Sequence, residues 1–339
     1  MSERKYRVAV VGCGLIGGKR SDVIVNDPRC ELAVVVDPNE AAAKRLGERV
    51  GAPWSTSWSG ALADSNADIV VVATPNAFLA EICISALKKG KHVLVEKPMG
   101  RNIHEAIQMA GAATSTNQVL KIGFNHRYHP ALMRAHEMYA DGEIGQIINI
   151  RARYGHGGRP GYENEWRGNR ELAGGGELTD QGVHVIDLIA WFAGEPTEVF
   201  GYLQTAAWPI APLEDSAFAL MKFESGALAS FHTAWTQWKN MFSFEVFGTD
   251  GSVTVDGLGR SYGPETLIFA KRKKEGGAPY MSRTVYDEED ISWKLEWDDL
   301  IRGIETGRYM GTPNDGVVVM RVLDAIYRAA EQRQPIGLD

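Results

Sequence analysis

The chain has 339 residues, 44% of them hydrophobic and 23% charged. This is globular composition with enough length for two domains, and it excludes a disordered or fibrous chain. A formal net charge of −7 argues against a basic nucleic-acid-binding surface, and no apolar run approaches the ~18 residues a bilayer span needs. Arg4, Lys5 and Arg7 precede an apolar stretch, as in a signal peptide. That stretch is broken by Gly12, Gly14, Gly17 and Gly18 and closed by Lys19-Arg20, so it reads as a strand and a glycine turn. Cys13, Cys30 and Cys83 make no CxxC pair and no even framework, which suits free thiols in a reducing compartment. A cytoplasmic location is expected.

The first ~120 residues alternate short β-branched runs with helical segments, the pattern of βαβ units and a parallel sheet. Strands are predicted over 7–11, 31–36, 67–73, 92–95 and 119–124, with helices over 15–26, 39–50, 76–89 and 102–115. The strands are apolar on both faces, so helices should cover both sides. After about residue 145 the period changes to two, over 147–154, 199–205, 217–223, 227–235, 242–247 and 252–255. This predicts a mostly antiparallel sheet with one covered face, interrupted by a helix over 178–192 and followed by helices over 293–306 and 316–332. The expected fold class is α/β: a Rossmann dinucleotide-binding domain (1–124), then an α+β domain (125–339) with a large, mostly antiparallel open sheet for substrate binding and oligomerisation.

Gly12-Cys13-Gly14-Leu15-Ile16-Gly17 is a GxGxxG between a strand and a helix. Gly12 permits the tight turn, Gly14 lets a pyrophosphate reach the backbone, and Gly17 packs helix on strand. The helix N-terminus, from Leu15 and Ile16 onward, offers N–H groups and a partial positive charge. A glycine turn in another α/β fold is the alternative, but Asp37 ends the second strand 25 residues after Gly12, where an acid grips ribose hydroxyls. A carboxylate there repels a 2′-phosphate, so NAD is expected ahead of NADP, although Lys44 and Arg45 lie near enough in sequence to compensate. Two strand ends deliver Thr74-Pro75-Asn76 and Glu96-Lys97-Pro98 to the edge where open sheets bind ligands. Taken singly, Thr74 and Asn76 could be helix caps, and Glu96-Lys97 a solvated ion pair.

These pieces, with GKHVLVEKP at 90–98, GFNHRYHP at 123–130 and GGGELTDQGVHVIDLIAWFAG at 174–194, resemble the Gfo/Idh/MocA oxidoreductases in order and over both domains. The resemblance implies NAD(P)-dependent oxidation of a hydroxyl on a sugar, sugar derivative or cyclitol. It also implies a homodimer or homotetramer through the second domain's sheet, and Asn125 near the nicotinamide end. Leu79 and Tyr128 stand where the family often has His and Phe.

Asp180 and His184 are four residues apart, hence one turn apart on one face of a helix. Oxidising a secondary alcohol needs a base, a role that suits His184. Lys97 would polarise the substrate oxygen, and Asp180 would orient the substrate or the imidazole. The family's Lys/Asp/His set maps onto these three positions. Asp187 would complete a metal site with Asp180 and His184, but the Lys97 ammonium would repel the ion, and no metal is expected. Arg127, Tyr162, Trp166 and Arg167 are the expected substrate contacts, while Trp235 and Trp238 suit core, interface and pocket about equally. Two other readings share these motifs: a non-catalytic NAD or sugar sensor, and a glycosidase that retains its NAD through oxidation, elimination and re-reduction.

Overall fold

The computed structural model describes residues 4–338, which form two compact units. One runs through Phe124 and adds Trp293–Val317; the other comprises Asn125–Ser292 and the chain from Val318.

The first unit is a parallel sheet in the order β3-β2-β1-β4-β5-β6. Its strands are β1 (Tyr6–Val11), β2 (Cys30–Val36), β3 (Trp54–Ser55), β4 (Ile69–Val72), β5 (His92–Glu96) and β6 (Leu120–Gly123). Helices α1 (Leu15–Val25), α2 (Glu40–Val50), α3 (Trp58–Asp64), α4 (Asn76–Lys88) and α5 (Ile103–Thr116) alternate with them. The valine runs of β1, β2, β4 and β5 are buried, because both sheet faces are covered. Strand order reverses between β1 and β4, with Val11 beside Val72. The glycine turn after β1 and Thr74 after β4 therefore open at the crevice where such sheets take ligands.

The expected division into 1–124 and 125–339 needs a correction, because α9 (Ser292–Thr306) belongs from Trp293 onward to the first unit. Trp297, Leu300 and Ile301 lie three and four residues apart on one helix face and join the cluster of Val8, Val10, Leu32 and Val35. Trp297 Nε1 donates to Asp27 Oδ2 (3.0 Å), and the buried Lys121 Nζ donates to Asp299 Oδ2 (2.6 Å). Burying three large apolar groups and neutralising an enclosed ammonium binds this segment to the sheet more firmly than chain order suggests.

The second unit contains nine strands in the order β14-β13-β12-β11-β7-β10-β9-β8-β15. They are β7 (Ile147–Gly155), β8 (Glu198–Gln204), β9 (Ser216–Lys222), β10 (Leu228–Ala234), β11 (Met241–Gly248), β12 (Gly251–Asp256), β13 (Glu265–Lys271), β14 (Tyr280–Tyr286) and β15 (Ile336–Gly337). Among the described residues of this sheet only the β7–β10 pair is parallel. On β9 and β10, Ala217, Ala219, Met221, Ala229 and Phe231 are buried, whereas Phe218, Leu220 and Leu228 are more than half exposed. Helices α6 (Pro130–Ala140) and α8 (Val183–Ala193) pack against the covered face; the unit also holds α7 (Arg170–Ala173) and, from Val318 onward, α10 (Pro313–Gln332). Strands β3 and β13 to β15 and helices α3, α6 and α7 were not among the predicted elements.

Candidate active site

In the first unit the three glycines divide their tasks as the geometry demands. Gly12 has φ +102°, and a Cβ there would overlap the Ala73 carbonyl; a Cβ at Gly17 would overlap the Gly12 carbonyl. Around Gly14 a Cβ would meet nothing within 4 Å, which leaves room for a ligand to touch the main chain. Helix α1 starts after Gly14 with no side-chain cap, and Leu15 is 78% exposed. The N–H groups of its first turn are therefore set to receive an anion. Asp37 accepts from the backbone N–H of Cys13 through Oδ2 and of Asn39 through Oδ1, both at 2.9 Å. Two bonds fix the carboxylate and leave it lone pairs for ribose hydroxyls. The Thr74 hydroxyl is buried without a hydrogen-bond partner among the described residues, and Asn76 is buried at the start of α4. Open space at Gly14, an uncapped helix end and an orphaned hydroxyl are what a bound dinucleotide would use.

Glu96 departs from the expectation that it meets the cofactor. Its Oε1 accepts from Arg20 Nε (2.7 Å), and Arg20 also pairs with Glu296 (2.6 Å). Arg20 and Glu296 are almost wholly enclosed, and a buried guanidinium must be neutralised. Glu96 thus belongs to an interior acid–base–acid triad at the strand end from which Lys97 follows.

In the second unit the helix predicted over 178–192 begins differently. Leu178–Gly182 is a π-helical turn and becomes α-helical only from Val183. The i→i+5 turn alters the one-face, one-turn relation expected of Asp180 and His184; such turns recur at functional sites. Its start is anchored by Glu214, whose Oε1 accepts from the N–H groups of Gly176 (3.1 Å) and Leu178 (3.0 Å) and from the Tyr327 hydroxyl (2.7 Å). Burial pushes the Glu214 carboxyl up, against the pull of these donors. Side chains at Gly175 and Gly176 would overlap Thr179 and Glu214, so the glycine run is a packing requirement here.

Asp180 Oδ2 accepts from Arg167 Nε at 2.9 Å, and Arg167 lies over the Trp166 ring, 4.4 Å from its centroid. The Asp180 carboxylate is the main reason the Arg167 guanidinium is held above its ordinary value. His184, in the first turn of α8, is buried and stacked on His126, with ring centroids 3.7 Å apart. The Tyr154 ring stands edge-on to both imidazoles. Burial, more than the neighbouring Tyr262, Glu177 and Asp180, pushes the Tyr154 phenol far up, so it stays neutral. Burial likewise lowers His156, with Asp180 opposing and Arg167 and Arg159 assisting. Asn125 is buried, its amide bonded to Ser292 Oγ and facing His126.

Two expected substrate contacts are placed elsewhere. Arg127 is 4% exposed and forked onto Asp187, at 2.6 and 2.9 Å, which also engages the second carboxylate of the conceivable metal site. Tyr162 is buried edge-on against Trp235 (4.6 Å) in a cluster with Ile210 and Leu213. Trp235 is therefore core, whereas Trp238 is 70% exposed. His126, Glu214 and Tyr327 escaped sequence reasoning. For His126 the two histidines of the GFNHRYHP segment were a usable signal; Glu214 and Tyr327 had none.

Comparison with known proteins gives this geometry its context. Residues 6–124 match the model of the oxidoreductase family with an NAD-binding Rossmann fold, and residues 132–254 match the GFO/IDH/MocA C-terminal domain. The chain belongs to the Gfo/Idh/MocA family. A 1,5-anhydro-D-fructose reductase of Ensifer adhaerens is 33% identical over 84% of each chain. A levoglucosan dehydrogenase of Pseudarthrobacter phenanthrenivorans is 31% identical over 66% of this chain and 64% of its own length. Among solved structures, GenD2 from gentamicin A biosynthesis in complex with NAD gives a TM-score of 0.87 at 30% identity, covering 100% of this chain and 98% of that one. A levoglucosan dehydrogenase complex with NADH gives 0.89 at 25% identity, covering 99% and 100%.

As a member of the Gfo/Idh/MocA family, the protein is an NAD(P)-dependent oxidoreductase acting on CH–OH groups, and its first unit is an NAD-binding Rossmann domain. Among the described residues no helix is long and apolar enough to cross a membrane.

Proposed function

We propose that the protein interconverts a secondary hydroxyl and a ketone on a sugar, a sugar derivative or an inositol, with NAD as the preferred cofactor. The observation that carries this reading is the π-helical turn. It presents Asp180, already gripped by Arg167, and leads directly into the α-helical turn that bears His184. When bound, NAD takes or returns the hydride. His184 accepts the hydroxyl proton at an imidazole nitrogen, Lys97 donates a hydrogen bond to the substrate oxygen and favours its developing charge, and Asp180 orients the reacting ring. Gly12, Gly14, Leu15, Ile16, Gly17, Asp37, Thr74 and Asn76 hold the dinucleotide. Trp166 and Arg167 line the substrate side, an aromatic face for sugar C–H groups beside a guanidinium fork for oxygens. Relatives named for levoglucosan, 1,5-anhydro-D-fructose and scyllo-inositol support a cyclic polyol.

The test is reduced-nicotinamide absorbance with NAD or NADP across sugars, sugar acids, nucleotide-sugars and inositols, in parent, His184→Ala and Lys97→Met proteins. Turnover with one substrate group, lowered about 10²–10⁴-fold in either variant, is expected. Tight NAD binding with no turnover on any substrate would favour a sensor. Aglycone release without net NADH would favour the NAD-retaining glycosidase.

A further inference from the structure

His126 lies in the 3₁₀ turn Asn125–Tyr128. Its ring lies almost parallel to that of His184, 3.7 Å between centroids and 14° between planes, and both side chains are buried. Behind His126 runs a chain of bonds. Asp290 Oδ1 accepts from Ser292 Oγ (2.6 Å), Ser292 Oγ accepts from Asn125 Nδ2 (3.1 Å), and Asn125 Oδ1 faces His126 Nδ1 at 3.2 Å. An amide oxygen only accepts, so the network assigns a proton to His126 Nδ1. The rings of His129 (5.5 Å), Tyr154 (5.2 Å) and Phe242 (6.1 Å) stand roughly edge-on around it. Rotating His126 would break the Asn125 bond and drive its edge into these neighbours, so its plane is fixed. Rotating His184 about Cβ–Cγ would sweep that ring's edge through the space His126 fills.

We infer that His126 is a positioning residue. Its face holds the His184 imidazole in the one plane from which it exchanges a proton with substrate, and the Asp290–Ser292–Asn125 chain holds His126. The inference rests on the reading of His184 as the base. It predicts a defect in the chemical step, separate from cofactor affinity and folding.

The experiment compares His126→Ala, which removes the face, with His126→Phe, which keeps a flat ring without its nitrogens. His126→Leu fills the space without a flat face and replaces His126→Ala should that variant fail to fold. Expected for His126→Ala is a fall in kcat of about 10- to 100-fold, the scale of a misaligned catalytic group. Substrate KM and NAD affinity should stay near parental, and His126→Phe should regain most of kcat. An Ala or Leu variant with parental kcat, or a folded Phe variant as impaired as Ala, overturns the inference. Independently of any substrate, ¹⁵N spectra of the His184 imidazole should show one tautomer in the parent and Phe proteins and averaging in the Ala or Leu protein. Identical spectra would overturn the inference even where turnover is absent, so its failure is separable from failure of the proposed reaction.

Discussion

Arg167 Nε lies 2.9 Å from Asp180 Oδ2, with the two side chains 27% and 14% exposed. A charge-assisted bond in so sheltered a place fixes both partners, so in the proposed site Asp180 is pre-aligned by Arg167. The two residues should therefore behave as one unit. Arg167→Met and Asp180→Asn are each expected to lower kcat/KM by about 10- to 100-fold, and the double variant should be little worse than the poorer single. A double-mutant cycle on kcat/KM measures this coupling. Strictly multiplicative losses would show that the two residues contribute separately.

The glycine turn separates a folding requirement from a binding one. Gly12 combines φ +102° with no room for a Cβ, while Gly14 has extended backbone and open space around it. Gly12→Ala should destabilise the first unit by about 3 kcal/mol, the combined cost of a forbidden backbone angle and overpacking. Gly14→Ala should keep the parental melting temperature while weakening NAD binding at least about 10-fold, because its methyl stands where a pyrophosphate must approach. Calorimetry of unfolding and of NAD binding reads both. Parental NAD affinity in the Gly14 variant would remove the main-chain contact from the reading.

On the second unit's sheet, Tyr202, Phe218, Leu220 and Leu228 are 51–66% exposed, and Phe218 stacks on His232 at 3.9 Å. Tyr202, Phe218 and Leu220, with Arg151, Arg153 and Glu245, line a shallow depression of roughly 610 Å³. A contiguous apolar patch with a charged border is the surface form of an interface, which supports a homodimer or homotetramer through this face. Leu220→Glu together with Phe218→Lys should shift light-scattering mass at micromolar protein to that of one chain, with circular dichroism unchanged. A parent already monomeric at that concentration would reject the assignment.

What the sequence disclosed follows its physical signals. The valine runs and the GxGxxG carry their structure locally, so the longer Rossmann strands, the place of Asp37 after β2 and the packing demands on Gly12 and Gly17 were readable. The alternating segments up to Val255 were readable because one face is buried. Strand β14 was not: it is exposed on nearly every residue, so no alternation marks it. Residues 293–306 read as a helix, but their membership of the first unit depends on Trp297, Leu300 and Lys121–Asp299 meeting across more than 170 residues. The roles of Glu96, Arg127 and Tyr162 turned on partners (Arg20, Asp187 and Trp235) that no local pattern announces. The π-turn was hidden because its spacing resembles an ordinary helix until Glu214 and the glycine packing are seen.

Acid stability offers a last test, at Glu265. Its Oε1 lies 2.7 Å from His129 Nδ1 and also accepts from the Gly259 N–H, while Oε2 accepts from the Ala131 N–H, both at 3.1 Å. Burial alone would push this carboxyl up, but the His129 bond and charge, with the two N–H donors, outweigh it and hold the carboxyl below its ordinary 4.5. In the unfolded chain Glu265 therefore takes its proton at a higher pH than in the folded one, so protons favour unfolding. The stability it contributes is fully present well above pH 4.5, and it is lost as pH falls through 4.5 towards the lower folded value. Glu265→Gln should be less stable than the parent near pH 7, by about 1–3 kcal/mol for a disrupted buried bond to a charged group. Between pH 6 and 4 the variant should lose less further stability than the parent does, so the two curves converge. Urea unfolding followed by tryptophan fluorescence at pH 7, 6, 5 and 4 measures both curves, and a constant offset at all four values would show that Glu265 does not carry this proton linkage.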